Sequence, residues 1–334
     1  MQDTARQIVA PRKGVLAADE STGTIAKRFD SIGVESTEEA RRAYRELLFT
    51  ADGIQDHIGG VILFDETMRQ SASDGTPLPL VLTEKGVVPG IKVDTGAKDL
   101  AGFPGEKVTE GLDGLRQRLA EYFSLGARFA KWRAVIDIGE GIPTWNCIKA
   151  NAHALARYAA LCQEAGVVPI VEPEVLMDGA HDIDRCFEVT HLVLQTTFAE
   201  LGDAGVDLTA TLLKPNMVIP GKASATQAKP EEIAEATVRC FTEVVPTEVP
   251  GIVFLSGGQS EAEATANLNA MNVMGSHPWE LSFSYGRALQ QSALAAWQGD
   301  AANVAAAQAA FLHRARLNGL ARSGEYTPDM DQVV

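Results

Sequence analysis

Eight short apolar runs, each followed by a longer stretch with helical periodicity, limit what this chain can fold into. The runs lie at residues 14–19, 60–64, 90–94, 127–135, 167–174, 209–218, 251–256 and 281–285. Helical patterns fill residues 38–50, 112–125, 147–165, 182–201, 230–244, 260–271 and 287–298. Apolar runs of this length read as buried strands, and their regular alternation with helices is the pattern of a parallel α/β sheet. Eight such units predict a single (β/α)8 TIM barrel, and 334 residues fit that fold as one domain spanning 1–334. The barrel core is expected at about 14–298, after a short N-terminal segment. Asp300 follows Gly299 and is placed to cap an Ala-rich C-terminal helix over 301–320. Residues 323–334 read as a frayed tail. Two Gly-, Pro- and Ser/Thr-rich stretches, 65–88 and 94–110, read as long loops framing one face. A doubly wound open sheet is the alternative, but no G-x-G-x-x-G follows any strand.

Charge and cysteine usage narrow the function classes. A formal net charge of −15 argues against nucleic acid and anionic membrane as partners, because both need a basic footprint. An anionic ligand would need a local cluster of cations, so grouped Lys and Arg carry more information than the total. The four cysteines, Cys147, Cys162, Cys186 and Cys240, have no paired spacing and read as buried thiols. The first residues show no signal pattern and no apolar run approaches a membrane span, so a cytoplasmic location is expected.

The candidate chemistry gathers at strand ends. Lys214 closes the apolar run Thr209-Ala210-Thr211-Leu212-Leu213, and Pro215 biases it towards extended geometry. Residues two apart on a strand share a face, so Lys131 points with Arg133 and Glu172 with Glu174. A free lysine is only about 1 part in 2,500 neutral at pH 7, so a nucleophilic lysine needs help from its surroundings. A nearby cation such as Lys131, together with burial, would favour the neutral amine, and a carboxylate at 172 or 174 could shuttle protons. The plain alternative is that these four charges only pair with one another. Asp19, in Leu16-Ala17-Ala18-Asp19-Glu20-Ser21-Thr22, reads either as a helix cap or as a base at the barrel mouth. Ser21 and Thr24, with Lys27 and Arg28 beyond them, offer a phosphate edge, and Lys92 adds a cation. Ser256-Gly257-Gly258 after the seventh run and Gly286-Arg287 after the eighth offer amides, a helix start and a guanidinium for a second phosphate. Gly221-Lys222 is no P-loop, since the flanking glycine and hydroxyl are missing. No His/Cys/carboxylate cluster specifies a metal, and no cofactor is expected.

These stretches resemble the class I fructose-1,6-bisphosphate aldolases. The matching runs are LAADEST (16–22), GIKVD (90–94), FAKWR (129–133), VPIVEPE (168–174), LLKPNMV (212–218), FLSGGQSE (254–261) and SFSYGRALQ (282–290), in the family's order. The resemblance implies a metal-free Schiff-base lyase of glycolysis that acts on sugar phosphates, assembled as a homotetramer. It implies Lys214 as the imine-forming lysine, Glu172 for carbinolamine acid–base work, and Lys131 and Glu174 as its charged neighbours. Asp19 would assist loss of the C4 hydroxyl proton. Ser256, Gly257, Gly286 and Arg287 would hold the C1 phosphate, and Ser21, Thr24, Lys92 and Arg133 the other phosphate end. Asp65 stands where many relatives carry histidine. Relatives also end in a tyrosine that helps to protonate the enamine, whereas the sequence here closes on Val333-Val334; Glu172 is therefore expected to supply that proton, and Tyr326 is not. Rival readings are a lyase for another ketose phosphate and an idle sugar-phosphate scaffold, the latter opposed by the intact Lys214, Glu172, Lys131 and Asp19.

Overall fold

Each of the eight apolar runs contains a barrel strand, because each supplies side chains that can be buried on both faces, as a parallel strand between barrel interior and helical shell requires. A computed structural model describes residues 1–332. The barrel strands are β1 (Gly14–Ala18), β2 (Ile58–Leu63), β3 (Val88–Lys92), β4 (Phe129–Ile136), β5 (Val168–Val175), β6 (Leu212–Leu213), β7 (Gly251–Phe254) and β8 (Glu280–Tyr285). Neighbours in sequence pair in parallel, and β1 pairs with β8 to close the cylinder. The longest seam is β4 with β5, eight residues in register from Phe129↔Val168 to Ile136↔Val175. The shortest is β6 with β7, where only Leu213↔Ile252 is in register.

The helices cover the outside. Pro230–Val244 runs as the periodicity predicts, with Pro at its start and the carboxylate of Glu232 accepting from the Lys229 backbone N–H. Ser260 caps Glu261–Val273, its hydroxyl accepting from the Glu263 N–H. Asp300 caps a 3-10 turn, Ala301–Asn303, that leads into the helix Val304–Ala321. Among the described residues, no helix is long and apolar enough to cross a membrane.

Inside the barrel, the amino ends of the strands are apolar and sealed. Val15, Ala17, Ile62, Val88, Phe129, Val168, Ile170, Leu212 and Val253 pack there as one cluster. The short N-terminal segment turns out to be a plug. It forms the helix Gln2–Ile8, and Ala5, Ile8 and Val9 join that cluster from below. Phe129 spans the interior because Gly60 and Gly90 leave room: a Cβ on Gly90 would lie 2.3 Å from its ring.

Three expectations are corrected. The run 209–218 is mostly not strand: Leu208–Ala210 is a 3-10 turn and the ladder covers only Leu212–Leu213. Asp207 captures the turn by accepting from the Thr209 N–H at 2.9 Å, and Pro215 has no N–H to continue the ladder. The stretch 65–88 is not a loop but holds the helices Asp65–Arg69 and Leu78–Glu84, which make the crossover from β2 to β3. The tail is not frayed over its described part. Tyr326 is buried, its N–H donates to Asn269 Oδ1 at 3.0 Å and its hydroxyl donates to Asp331, which also pairs with Arg314. Residues 333 and 334 lie outside the described residues.

The plug is tested by Gly59→Ala. A Cβ there would meet the Ile8 carbonyl oxygen at 2.2 Å, and a backbone atom cannot swing aside as a side chain can. Overpacking of this kind costs roughly 1–3 kcal/mol. Chemical denaturation should show that loss, and hydrogen exchange should speed up in residues 2–9 first. A variant as stable as the parent would show that the helix does not seal the barrel.

Candidate active site

The alternation that seals the floor also builds the mouth. Val15 and Ala17 lead, two residues on, to Asp19; Val88 and Gly90 lead to Lys92; Phe129 leads to Lys131 and Arg133. Val168 and Ile170 lead to Glu172 and Glu174, and Leu212 leads to Lys214. Each inward row is apolar at the strand's amino end and charged at its carboxyl end. A cavity of about 780 Å³ opens there, the C-terminal face where barrel enzymes carry their chemistry.

At its base lies a chain of four alternating charges. Lys131 Nζ is 2.8 Å from Asp19 Oδ2 and 3.2 Å from Glu172 Oε2, and Lys214 Nζ is 3.1 Å from Glu172 Oε1. Asp19 retains 12% of its side-chain exposure and the other three 5% or less, so water screens the pairs weakly. Burial would raise the carboxyl pKa of Asp19, but Lys131 and then Lys214 hold it well below the ordinary carboxylate range. Burial also opposes ionisation of Glu172, and Lys131 and Lys214 again prevail and lower it. Burial disfavours the Lys131 ammonium, yet Asp19 and Glu172 overcome this and push its pKa above the usual lysine value. Lys131 is thus flanked by carboxylates on both sides, and Glu172 contacts both lysines. The Oε2 atom of Glu172 is buried and accepts no hydrogen bond, because the Lys131 contact is ionic without the angle for one.

The rim carries the hydroxyls, amides and cations that the sequence offers for anion binding. Ser256 and Gly257 border the mouth, and Gly258 turns the chain with φ +77°. Gly286 precedes the helix Arg287–Trp297, and Arg287 Nη2 donates to the Gln259 carbonyl at 3.1 Å, tying the loop after β8 to the loop after β7. On the other rim Ser21 and Thr24 lie with their hydroxyls 3.0 Å apart at the start of the helix Thr22–Asp30. Asp19 makes no cap there; Ser21 holds the cap position. Lys92 pairs with Asp94 at 2.8 Å, and Arg133 pairs with Glu174. All thirteen residues named from the sequence as catalytic or substrate-binding border this one cavity.

Two supporting residues were missed. Asp94 receives Lys92 and the Gly96 N–H at 3.1 Å on one oxygen and the Arg133 N–H at 3.3 Å on the other, so it sets both cations. Its place two residues after Lys92 was the available signal. Glu20, buried beside Asp19, binds Arg28 at the mouth, Arg45 from the helix Glu38–Phe49 at 2.5 Å and the Gln290 amide at 2.9 Å. Nothing local in the sequence foretells that convergence. Asp65 has a structural role: it accepts from the Tyr122 hydroxyl at 2.9 Å and pairs with Arg69. Tyr326 packs beside Val273 and Met274, outside the barrel. The four cysteines are buried and unpaired.

The family model described as fructose-bisphosphate aldolase class-I matches residues 1–334. A probable fructose-bisphosphate aldolase class 1 of Xanthomonas campestris is 59% identical over 327 residues, 98% of each chain. The cytoplasmic isozyme of fructose-bisphosphate aldolase from Spinacia oleracea is 58% identical over 323 residues, covering 96% of this chain and 90% of its own. This chain belongs to the class I fructose-bisphosphate aldolase family. The solved aldolase of Plasmodium falciparum, in complex with TRAP and a small-molecule inhibitor, superposes with a TM-score of 0.97 at 49% identity over 98% of this chain and 94% of that one. The closed barrel with its C-terminal helix is therefore an aldolase barrel.

Removing one member of the charge chain should invert its pH response. In the parent, the lowered pKa values of Asp19 and Glu172 contribute stability that is present at neutral pH and is lost as pH falls below the usual carboxylate range, about 4. Lys131→Met removes the ammonium that contacts both carboxylates, leaves Glu172 only Lys214, and should cost roughly 3–5 kcal/mol at pH 7. Their pKa values then rise, so the variant should gain stability between pH 7 and about pH 5 while the parent stays level. Denaturation curves across that range decide it, and parallel curves would show that Lys131 does not govern the pair.

Proposed function

We propose that this chain cleaves fructose 1,6-bisphosphate reversibly to dihydroxyacetone phosphate and glyceraldehyde 3-phosphate through an imine on Lys214. The observation that carries this reading is the contact of Lys214 Nζ with Glu172 Oε1 at 3.1 Å, inside a cavity rimmed on two sides by anion-binding groups. The amine attacks C2 of the open-chain ketose once its proton has passed to a base. Glu172, already ionised and within reach, takes that proton and returns it to the departing C2 oxygen as water leaves. The protonated imine is then an electron sink for the pair released from the C3–C4 bond. Asp19 accepts the C4 hydroxyl proton, for which its lowered pKa keeps it ionised, and Lys131 holds it in place. Glyceraldehyde 3-phosphate departs and leaves an enamine. Lys131, which touches both carboxylates, relays the proton taken up by Asp19 to Glu172, and Glu172 then protonates C3, which restores the iminium before water releases dihydroxyacetone phosphate.

Ser256, Gly257, Gly286 and Arg287 take the C1 phosphate in this reading, and Ser21, Thr24, Lys92 and Arg133 the C6 phosphate. Glu174 serves by orienting Arg133. The reading includes a single-domain homotetramer acting in glycolysis and gluconeogenesis, and the cytoplasmic isozyme of Spinacia oleracea supports a cytoplasmic location.

Borohydride added with dihydroxyacetone phosphate should leave a reduced adduct on the peptide containing Lys214. A stable adduct confined to Lys131 or Lys92 would move the nucleophile and sink the mechanism. Arg287→Ala should raise KM for fructose 1,6-bisphosphate about tenfold, the lower end of what a charged hydrogen bond contributes because the side chain is exposed. Inhibition by dihydroxyacetone phosphate should weaken in parallel, and unchanged affinity for both would place the C1 phosphate elsewhere.

A further inference from the structure

The loop that follows β6 is stitched to the loop that follows β5, and the stitch brings one more cation to the edge of the phosphate turn. The Gly221 N–H donates to the His181 carbonyl at 2.8 Å, the Lys222 N–H to the Met177 carbonyl at 2.8 Å, and the Ala223 N–H to the Gly179 carbonyl at 2.9 Å. Gly221 passes so near its neighbour that a Cβ would sit 2.1 Å from the Gly179 oxygen. The backbone of Lys222 is therefore fixed, whatever its side chain does. That side chain runs along the Gly257–Gly258 turn: a Cβ on Gly258 would lie 3.0 Å from Lys222 Cε, as it would lie 2.9 Å from the Met177 sulfur. The ammonium is held 3.1 Å from Asp178, and both groups are half exposed. Lys222 does not border the cavity, and the P-loop comparison gives it no role.

We propose that Lys222 is a further phosphate-binding cation at the Ser256–Gly258 turn, held by Asp178 until a dianion arrives. The proposal rests on the aldolase reading above. A phosphate seated on the Gly257 amide and Arg287 brings about two negative charges to the turn that Lys222 overlies. The ammonium exchanges the single charge of Asp178 for that dianion by rotation of a flexible four-carbon stem about a fixed backbone. Asp178 competes with the ligand for the same cation, so the two side chains act on affinity with opposite signs. A purely structural ion pair would not behave in this way.

Steady-state kinetics on the full-length enzyme test it with Lys222→Ala, Lys222→Arg and Asp178→Asn. Lys222→Ala should raise KM for fructose 1,6-bisphosphate and the inhibition constant of dihydroxyacetone phosphate about two- to fivefold, the range of a partly exposed charge pair. Its kcat and its melting temperature should stay at the parent's values. Lys222→Arg should restore KM, and Asp178→Asn should lower it by a similar factor. Unchanged KM in Lys222→Ala, or a KM that does not fall in Asp178→Asn, overturns the assignment. Labelling of the parent's Lys214 by dihydroxyacetone phosphate and borohydride tests the underlying reading separately. Failure there overturns both, whereas labelling without the kinetic pattern overturns Lys222 alone.

Discussion

Everything at the mouth depends on the contact between Glu172 and the two ammonium groups of Lys131 and Lys214. An isolated charge at this depth would be neutralised or would draw in water. Two carboxylates and two amines in alternation give each carboxylate a lysine partner inside the barrel. The arrangement needs β1, β4, β5 and β6 to end at one level, so that charges from four strands meet. The long β4–β5 ladder fixes Lys131 against Glu172 to within a residue, since Lys131 pairs with Ile170 and Arg133 with Glu172. A slip of one residue would turn both rows into the helical shell.

The separation of floor and mouth explains why one structure can be both stable and reactive. Phe129, Ile62, Val168 and the plug residues Ile8 and Val9 seal the amino ends of the strands, and Phe129 and Val168 share rows with Lys131 and Glu172. The rim is held from outside by Glu20, through Arg45 and Gln290, and by Asp94. The chain as a whole is strongly acidic, yet its basic side chains at the mouth face a single cavity, which is the local condition an anionic substrate requires.

Most of this was legible from period-two alternation. The rows ending in Asp19, Lys131, Glu172 and Lys214 can be read from the sequence, as can the eight strands, because each residue's face follows from its own strand. What could not be read is what depends on stagger between strands. That Glu172 stands within ion-pair distance of both Lys131 and Lys214 follows from the barrel's register and not from any one strand. Glu20 reaches its partners across 25 and 270 residues of sequence, and no local pattern encodes that. The short β6 was overestimated because Asp207 and Pro215 compete with the ladder in ways that apolar content does not report. The tail was misjudged for the opposite reason: its polar composition resembled a frayed end, but Asp331 finds Arg314 and the Tyr326 hydroxyl.

The two-residue length of β6 bears on how Lys214 moves. Lys214 is anchored on one side by its own N–H, which donates to the Val171 carbonyl at 2.8 Å, and the Pro215 carbonyl beyond it accepts from the Leu255 N–H at 3.0 Å. Proline contributes no donor of its own, and the seam to β7 is the thinnest in the cylinder. The lysine therefore sits at the most compliant place in an otherwise stiff ring. In the proposed imine mechanism its carbon partner would pass from planar to tetrahedral and back twice in each turnover, changes that a small rocking of this seam would follow.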